Sequence, residues 1–99
     1  MRVITPGHCY ALDHFEKEEE QHNEVLQFIE KDIAMNTIHN GITNEEVLAV
    51  LIDRLRFLGE RLPSRENSIA ITKCEEALLW LEKRTNDRKK RGVEGTSKA

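Results

Sequence analysis

The second half of the chain repeats apolar residues at helical spacing. After Thr43, apolar side chains recur every three or four positions, and Thr43 and Glu46 have the spacing of a capping box. Pro63 ends this segment, and Ser64 is a suitable N-cap for a second helix that runs through a basic stretch to Gly92. The pattern predicts an antiparallel helical hairpin. Its two apolar stripes consist of Val47, Leu48, Leu51, Ile52, Leu55, Leu58 and Leu62, and of Ile71, Cys74, Ala77, Leu78 and Leu81.

The first half of the chain has a weaker pattern that indicates strands. Pro6 and Gly7 predict a turn, and residues 8–12 a short strand. Residues 25–31 fit either a helical turn or a strand that pairs with the first one; we favour the strand, partly because of a family resemblance. Residues 36–43 indicate a loop that turns at Asn40 and Gly41. These segments predict a small β-ribbon ahead of the hairpin.

The predicted fold class is mainly α with a β component (α+β). We expect residues 1–43 to form the β-ribbon and loop, residues 44–92 the hairpin of the same single domain, and residues 93–99 a C-terminal tail. A chain of 99 residues has a modest core, and 33% of its residues are charged. Such a chain often completes the burial of its apolar surface by oligomerising.

Charge is distributed unevenly around a net value of −3. Residues 1–43 hold 8 acidic and 3 basic side chains, whereas residues 44–99 hold 10 and 12. Residues 83–91 alone contain six cations and one anion. A confined basic segment on an acidic chain argues against general nucleic-acid binding, which needs a broad positive surface. It fits a local pocket for a small, doubly charged ligand.

Several sequence features bear on the cellular compartment. No apolar run approaches the length of a membrane span, and the residues after Met1 lack the apolar segment of a signal peptide. Cys9 and Cys74 occur in unrelated contexts, and Cys74 lies on the apolar face of the second helix. This favours a buried free thiol over a disulfide. We therefore expect an intracellular protein with no membrane partner.

Candidate ligand-binding residues lie at both ends of the second predicted helix. Trp80, Arg84 and Arg88 are four residues apart and share one face. Guanidinium groups bind phosphates bidentately, and an indole can stack on a purine. A packed tryptophan beside two solvated arginines is the alternative. Arg65 and Asn67 occupy the first turn, where free N–H groups favour anions; alternatively, both are simply exposed.

If residues at both ends of the second helix bind the same ligand, the length of that helix predicts how the chains assemble. Asn67 and Arg84 are 17 residues apart, about 26 Å at a rise of about 1.5 Å per residue. A mononucleotide-sized ligand cannot reach both in one chain, so a shared pocket requires an isologous dimer whose long helices run antiparallel. Phe57 lies off the apolar stripe of the first helix. It is either a peripheral core residue or a ring that walls this pocket.

The sequence has no recognisable catalytic or metal-binding set. The histidines and Cys9 lack the ligand spacing of zinc sites. Two Glu-Glu pairs, at positions 45–46 and 75–76, lack a further acidic residue one turn along the same face, so a magnesium site is not indicated. We expect a protein that is not an enzyme and has no metal or cofactor. A protein that only binds a nucleotide has three alternatives. The first is an interaction module that binds an acidic partner through its basic end, and the second is an enzyme acting on cyclic nucleotides or ADP-ribose. A helix-turn-helix DNA-binding protein ranks below both.

The hairpin sequence resembles a known family. The segments NGITNEEVLAVLIDRLRFL and SRENSIAITKCEEALLWLEKRTNDRKKRGVEGT, within residues 40–96, are similar to phage-encoded sponge proteins of the anti-Thoeris and anti-CBASS group. The most specific parts are RLRFL, REN, EEALLWLEKRT and GVEGT. The PGHCYAL and VLQFIEK segments are similar to the short β-ribbon that precedes the hairpin in this group.

This resemblance implies a function and a site. Such proteins sequester the glycocyclic ADP-ribose signal of Thoeris immunity without degrading it and bind cyclic trinucleotides of CBASS immunity at a separate site. They assemble as dimers or as hexamers built from three dimers. The shared motifs place the signal pocket on Phe57, Asn67, Arg84 and Arg88, and an arginine of the trinucleotide site on Arg65. The lead hypothesis is a nucleotide sponge in the cytoplasm of an infected bacterial host.

Overall fold

The computed structural model describes residues 1–17 and 24–90, which form two compact units divided after Ile42. Strands occupy the described part of the first unit, and two helices that of the second. This is the α+β arrangement predicted from the sequence. The strands are β1 (Arg2–Thr5), β2 (Cys9–Leu12), β3 (Glu24–Gln27), β4 (Glu30–Lys31) and β5 (Thr37–His39), and the helices are α1 (Asn44–Arg61) and α2 (Arg65–Lys90).

An antiparallel sheet in the order β1-β2-β3 confirms the predicted β-ribbon. The pairing of β2 with β3 sets Cys9 opposite Gln27 and Leu12 opposite Glu24. Gly7 has a φ of 79°, a conformation that glycine adopts at no steric cost, in the turn that leads into β2. That turn joins β2 to β1, an edge strand that the sequence pattern did not predict.

The core of the first unit lies on one face of β2. Cys9 and Ala11 are buried, because alternate residues of a central strand point to the same face. Tyr10 meets Phe28 edge to face, with ring centroids 6.0 Å apart and planes at 87°.

An ion pair also closes the β1–β2 hairpin. The terminal ammonium of Met1 donates a hydrogen bond to the Asp13 carboxylate at 3.0 Å, and this bond lowers the pKa of that carboxyl. Both groups are exposed, so the pair contributes little to stability.

β4 and β5 form a second hairpin, and β5 lies inside the segment predicted to be a loop, so that part of the prediction is wrong. In the connecting turn Met35 has a φ of 64°, a conformation more usual for glycine or asparagine. The Asp32 carboxylate stabilises the turn by accepting a hydrogen bond from the Asn36 N–H at 2.9 Å. The sequence lacks the Asn-Gly or Gly signal that would have revealed this hairpin.

Gly41 permits a close approach of two backbone segments and is not part of a turn, which corrects the turn predicted at Asn40 and Gly41. Ile42 donates its N–H to the Gln27 carbonyl and accepts from the Ile29 N–H, both at 3.0 Å. A Cβ at position 41 would lie 2.6 Å from the carbonyl carbon of Phe28 and 2.8 Å from its oxygen. The chain can therefore pass beside the end of β3 only without a side chain here.

Both helices begin at the predicted N-caps. Thr43 Oγ1 accepts a hydrogen bond from the Glu46 N–H, and Ser64 Oγ from the Asn67 N–H, each at 3.1 Å. The predicted hairpin is confirmed, with α1 ending at Arg61. Its predicted end at residue 92 and the tail at 93–99 lie outside the described residues. Within residues 1–17 and 24–90, no helix is long and apolar enough to cross a membrane.

The apolar stripe predicted on α1 is only partly buried in the single chain. Ile52 is 5% exposed and lies in the groove between the helices, whereas Leu51, Leu58 and Leu62 are 42%, 37% and 81% exposed. Leu51 and Leu58 are two turns apart on α1, and Leu62, the C-cap residue, follows one turn later; we call these three leucines the outer leucine face. On α2, Cys74 is half-buried and Ala77 exposed, so the expected full burial of Cys74 is wrong, whereas Cys9 and Cys74 are free thiols as predicted.

Replacing Gly41 by alanine should destabilise the protein by about 1–3 kcal/mol, because the atoms that the added methyl group meets belong to the backbone and cannot move aside. Urea unfolding of the full chain measures this change. Gly7→Asn is the matched control, since asparagine tolerates a positive φ and a Cβ there meets nothing within 4 Å. Equal stability of Gly41→Ala and the wild type would contradict the close approach.

Candidate functional site

The residues predicted to bind ligand lie at opposite ends of the hairpin. Phe57 is near the end of α1, and Asn67 is in the first turn of α2 beside the connecting turn. Arg84 and Arg88 lie near the other end of α2. The helix is continuous between Asn67 and Arg84, so the separation of about 26 Å follows directly from its rise. One chain therefore does not bring these side chains into a single pocket.

A groove of about 210 Å³ lies at the basic end of α2. Trp80, Lys83, Arg84 and Asp87 line it. The Lys83 ammonium pairs with the Asp87 carboxylate at 2.8 Å, whereas Arg84 is exposed and makes no ion pair within residues 1–17 and 24–90. Arg84 thus presents a guanidinium group beside an exposed indole, an arrangement that can hold a phosphate next to a stacked ring.

Arg88 has different surroundings from Arg84. Its side chain is half-buried, and its Nε is shielded from solvent. On the same stretch of α2, Thr85 and Lys89 line a further groove, of about 330 Å³, with Glu45 at the start of α1. Arg91, the last cation of the basic run, lies outside the described residues. Arg84 is therefore the more accessible of the two predicted phosphate ligands.

Asn67 is held by α1. Its side-chain Nδ2 donates a hydrogen bond to the backbone carbonyl of Leu55 at 2.9 Å. The Leu55 carbonyl can only accept a hydrogen bond, and in the Asn67 side chain only Nδ2 can donate one. This contact therefore fixes the orientation of the Asn67 amide group. One of the two Nδ2 hydrogens is used on Leu55, and the amide orientation that this bond fixes leaves Oδ1 available to a ligand as a hydrogen-bond acceptor.

Gly59 makes room for this contact. A Cβ at position 59 would lie 3.0 Å from Nδ2 of Asn67, which is tighter than most real Cβ contacts. The sequence alone indicates only that a glycine weakens the last turns of a helix. Its positional role could not be found without knowing that Asn67 packs against it.

Phe57 lies on the outer surface of α1 and is 55% exposed. The guanidinium carbon of Arg61 lies over its ring, 5.7 Å from the centroid. Sequence reasoning missed Arg61, although its spacing of four residues from Phe57 was available as a signal. Phe57 is therefore a surface ring with a cation on one face.

Arg65, predicted for a second site, is exposed in the first turn of α2. Another ion pair lies between the helices, where Arg56 donates to the Glu75 carboxylate at 2.5 Å beside a groove of about 400 Å³. Sequence reasoning did not identify this pair. Among the residues that the structure describes, no cluster of three or more His, Cys, Asp or Glu side chains is arranged to hold a metal ion.

Comparison with known proteins identifies the class of this hairpin. The family model described as "Acb2/Tad1, hairpin domain" matches residues 18–86, more than half of the chain. The chain therefore belongs to this family, which confirms the resemblance carried by the hairpin sequence.

A particular relative is a phage protein named "Thoeris anti-defense 1", from Bacillus phage SBSphiJ7. It is 55% identical to this chain over 58 residues, which are 58% of this chain and 41% of the relative. The chain thus spans less than half the length of that curated relative.

The contact between Asn67 and α1 predicts a measurable stabilisation of the hairpin. Asn67→Ala should lower the free energy of unfolding by about 0.5–1.5 kcal/mol, because it removes one side-chain hydrogen bond between the helices. Chemical denaturation monitored by circular dichroism measures this. Asn86→Ala, at an exposed position of the same helix, is the control for the change in helix propensity. If both variants unfold alike, the Leu55 contact does not stabilise the hairpin.

Proposed function

We propose that this protein is a phage anti-Thoeris factor that binds and sequesters a glycocyclic ADP-ribose signal without cleaving it. The observation that carries the proposal is the 55% identity to a protein named Thoeris anti-defense 1. Membership of the hairpin family supports the same conclusion. Since the chain spans only part of that relative, the activity of the whole relative is a proposal for this chain. We expect the protein to act in the cytoplasm of the infected bacterial host.

In this proposal Arg84 is the principal phosphate ligand. A diphosphate carries two negative charges, and a guanidinium group that makes no competing ion pair in the described part of the chain can bind it bidentately. Arg88, half-buried one turn further on, assists from a more fixed position. Sequestration needs strong phosphate contacts and burial of the ligand but no general base, so we propose a protein that is not an enzyme and uses no cofactor.

Asn67 and Phe57 supply the remaining contacts. Because Oδ1 of Asn67 can only accept, it suits a donor on the ligand, such as the exocyclic amine of adenine or a ribose hydroxyl. The exposed ring of Phe57 offers a surface on which adenine can stack. These groups discriminate the nucleoside, whereas the arginines bind its phosphates.

The pocket is proposed to form between two copies of the chain. Asn67 and Arg84 are too far apart in one copy, and antiparallel pairing of two α2 helices would bring the start of one beside the end of the other. The outer leucine face supplies apolar surface that such pairing could cover. We propose antiparallel dimers, and hexamers built from three of them, with a second site for cyclic trinucleotides that includes Arg65.

The test is calorimetric titration of the purified protein with glycocyclic ADP-ribose, followed by heat release and chromatography of the ligand. Tight binding with intact ligand recovered is the expected result. Altered ligand would mean that the protein is an enzyme. Absence of binding would favour an interaction module that shares only the fold of the family.

Arg84→Ala should weaken binding of glycocyclic ADP-ribose by about 10- to 100-fold, the loss expected for a charge-assisted phosphate contact. The elution volume of the variant on a sizing column should match that of the wild type. Arg54→Ala, which removes an exposed arginine of α1, is the control and should bind normally. Unfolding or dissociation of Arg84→Ala would show instead that Arg84 is structural.

Arg65→Ala should leave binding of glycocyclic ADP-ribose unchanged and abolish binding of cyclic trinucleotides, because we assign Arg65 to the second site. Parallel titrations with both ligands measure the difference. Equal loss of both would contradict the existence of two separate sites.

A further inference from the structure

The contact between Phe57 and Arg61 is the one place in the described residues where a cation lies over an aromatic ring. The distance of 5.7 Å from guanidinium carbon to ring centroid falls within the range of cation–π attraction. Phe57 and Arg61 are one helical turn apart on α1, so their side chains lie on the same side of the helix. The arginine is also in the last turn, where the helix dipole favours a cation.

This contact divides the ring of Phe57 into two unequal faces. The guanidinium group lies on one side of the ring, which leaves the opposite face open for a ligand base. A phenylalanine on a helix surface would otherwise exchange between side-chain rotamers. The cation over the ring favours the rotamer in which the uncovered face has a defined direction. Ordering the ring before the ligand arrives reduces the entropy lost on binding.

We propose that Arg61 is a positioning residue of the signal site, which orients Phe57 so that its open face stacks on the adenine of the ligand. This inference rests on the proposed function, because it assigns a further residue to the same pocket. Arg61 acts through the ring and makes no direct contact with phosphate. It extends the site by one helical turn toward the end of α1.

The shape of the guanidinium group, rather than its charge alone, carries this role. Arginine presents a flat, weakly hydrated plane that stacks on a ring, whereas lysine presents a compact and strongly hydrated ammonium. Arg61→Lys keeps the positive charge near the ligand and at the end of α1. A role in general electrostatic attraction would therefore survive this substitution, and a positioning role would not.

The experiment is a double-mutant cycle measured by calorimetry with glycocyclic ADP-ribose. In the wild-type background, Arg61→Lys should weaken binding about threefold to tenfold. It should have the same effect in a Phe57→Tyr background, which retains a ring, and none in a Phe57→Leu background, which has no ring to orient. Arg54→Lys, two turns earlier on α1, is the matched control and should bind like the wild type.

Two results of the cycle would overturn the proposal. Unchanged affinity of Arg61→Lys in the wild-type background would mean that charge alone suffices. Equal loss of affinity with and without an aromatic ring at position 57 would mean that Arg61 binds the ligand directly.

A ligand-free measurement separates failure of this inference from failure of the proposed function. The side-chain δ protons of Arg61 should be shifted upfield by the ring in NMR spectra of the unliganded protein, and Phe57→Leu should abolish the shift. Absence of the shift would overturn the inference even if the wild type binds the signal tightly. Absence of binding by the wild type would refute the proposed function, and the positioning role with it, while the shift would still establish the contact.

Discussion

In the described part of the hairpin, Ile52 is the one buried apolar side chain, although the helices contain 18 and 26 residues. Helices in proteins gain most of their stability from packing an apolar face. Here the outer leucine face, with Leu51, Leu58 and Leu62, is left exposed in the single chain. This shortage of burial explains why polar contacts are needed to align the helices. Covering these leucines with another protein surface would remove apolar area from water.

Two polar contacts fix the alignment of the helices. Arg56 pairs with Glu75 across the groove, and Asn67 bonds to the Leu55 carbonyl nearer the turn. Neither contributes much free energy, since the ion pair is largely exposed and one hydrogen bond is worth about 1 kcal/mol. Their value lies in geometry: a shift of one residue along either helix would separate both pairs. A ligand site that draws on both helices depends on this alignment.

Local signals made the hairpin predictable, and long-range packing made the rest unpredictable. Thr43 and Ser64 are N-caps that accept hydrogen bonds from residues three positions further on. Both partners of each bond therefore lie in one short stretch of sequence, where the pattern can be recognised. The β4–β5 hairpin was not predicted, because Met35 in its turn has a positive φ, which methionine rarely adopts. Periodicity located the apolar stripe of α1 but could not show which of its residues are buried against α2.

In the candidate site, too, local features could be predicted from the sequence and contacts that depend on packing could not. Residue chemistry and family motifs indicated the aromatic, amide and arginine groups, because these residue types can stack on bases and bind phosphates. The atom that Asn67 presents and the cation over Phe57 depend on neighbours across the hairpin or one turn away. Such arrangements follow from the packed structure, so the sequence could propose candidate residues but not their orientation.

The hydrogen bond that orients Asn67 ends on a main-chain carbonyl, and this has an evolutionary consequence. The acceptor remains in place whichever side chain occupies position 55, provided that the helix persists. Position 59 is more constrained, because a methyl group there would lie 3.0 Å from Nδ2 of Asn67 and the amide would have to shift. Substitutions at residue 55 can therefore keep the Asn67 amide in the same orientation, whereas a side chain at residue 59 would press on that amide.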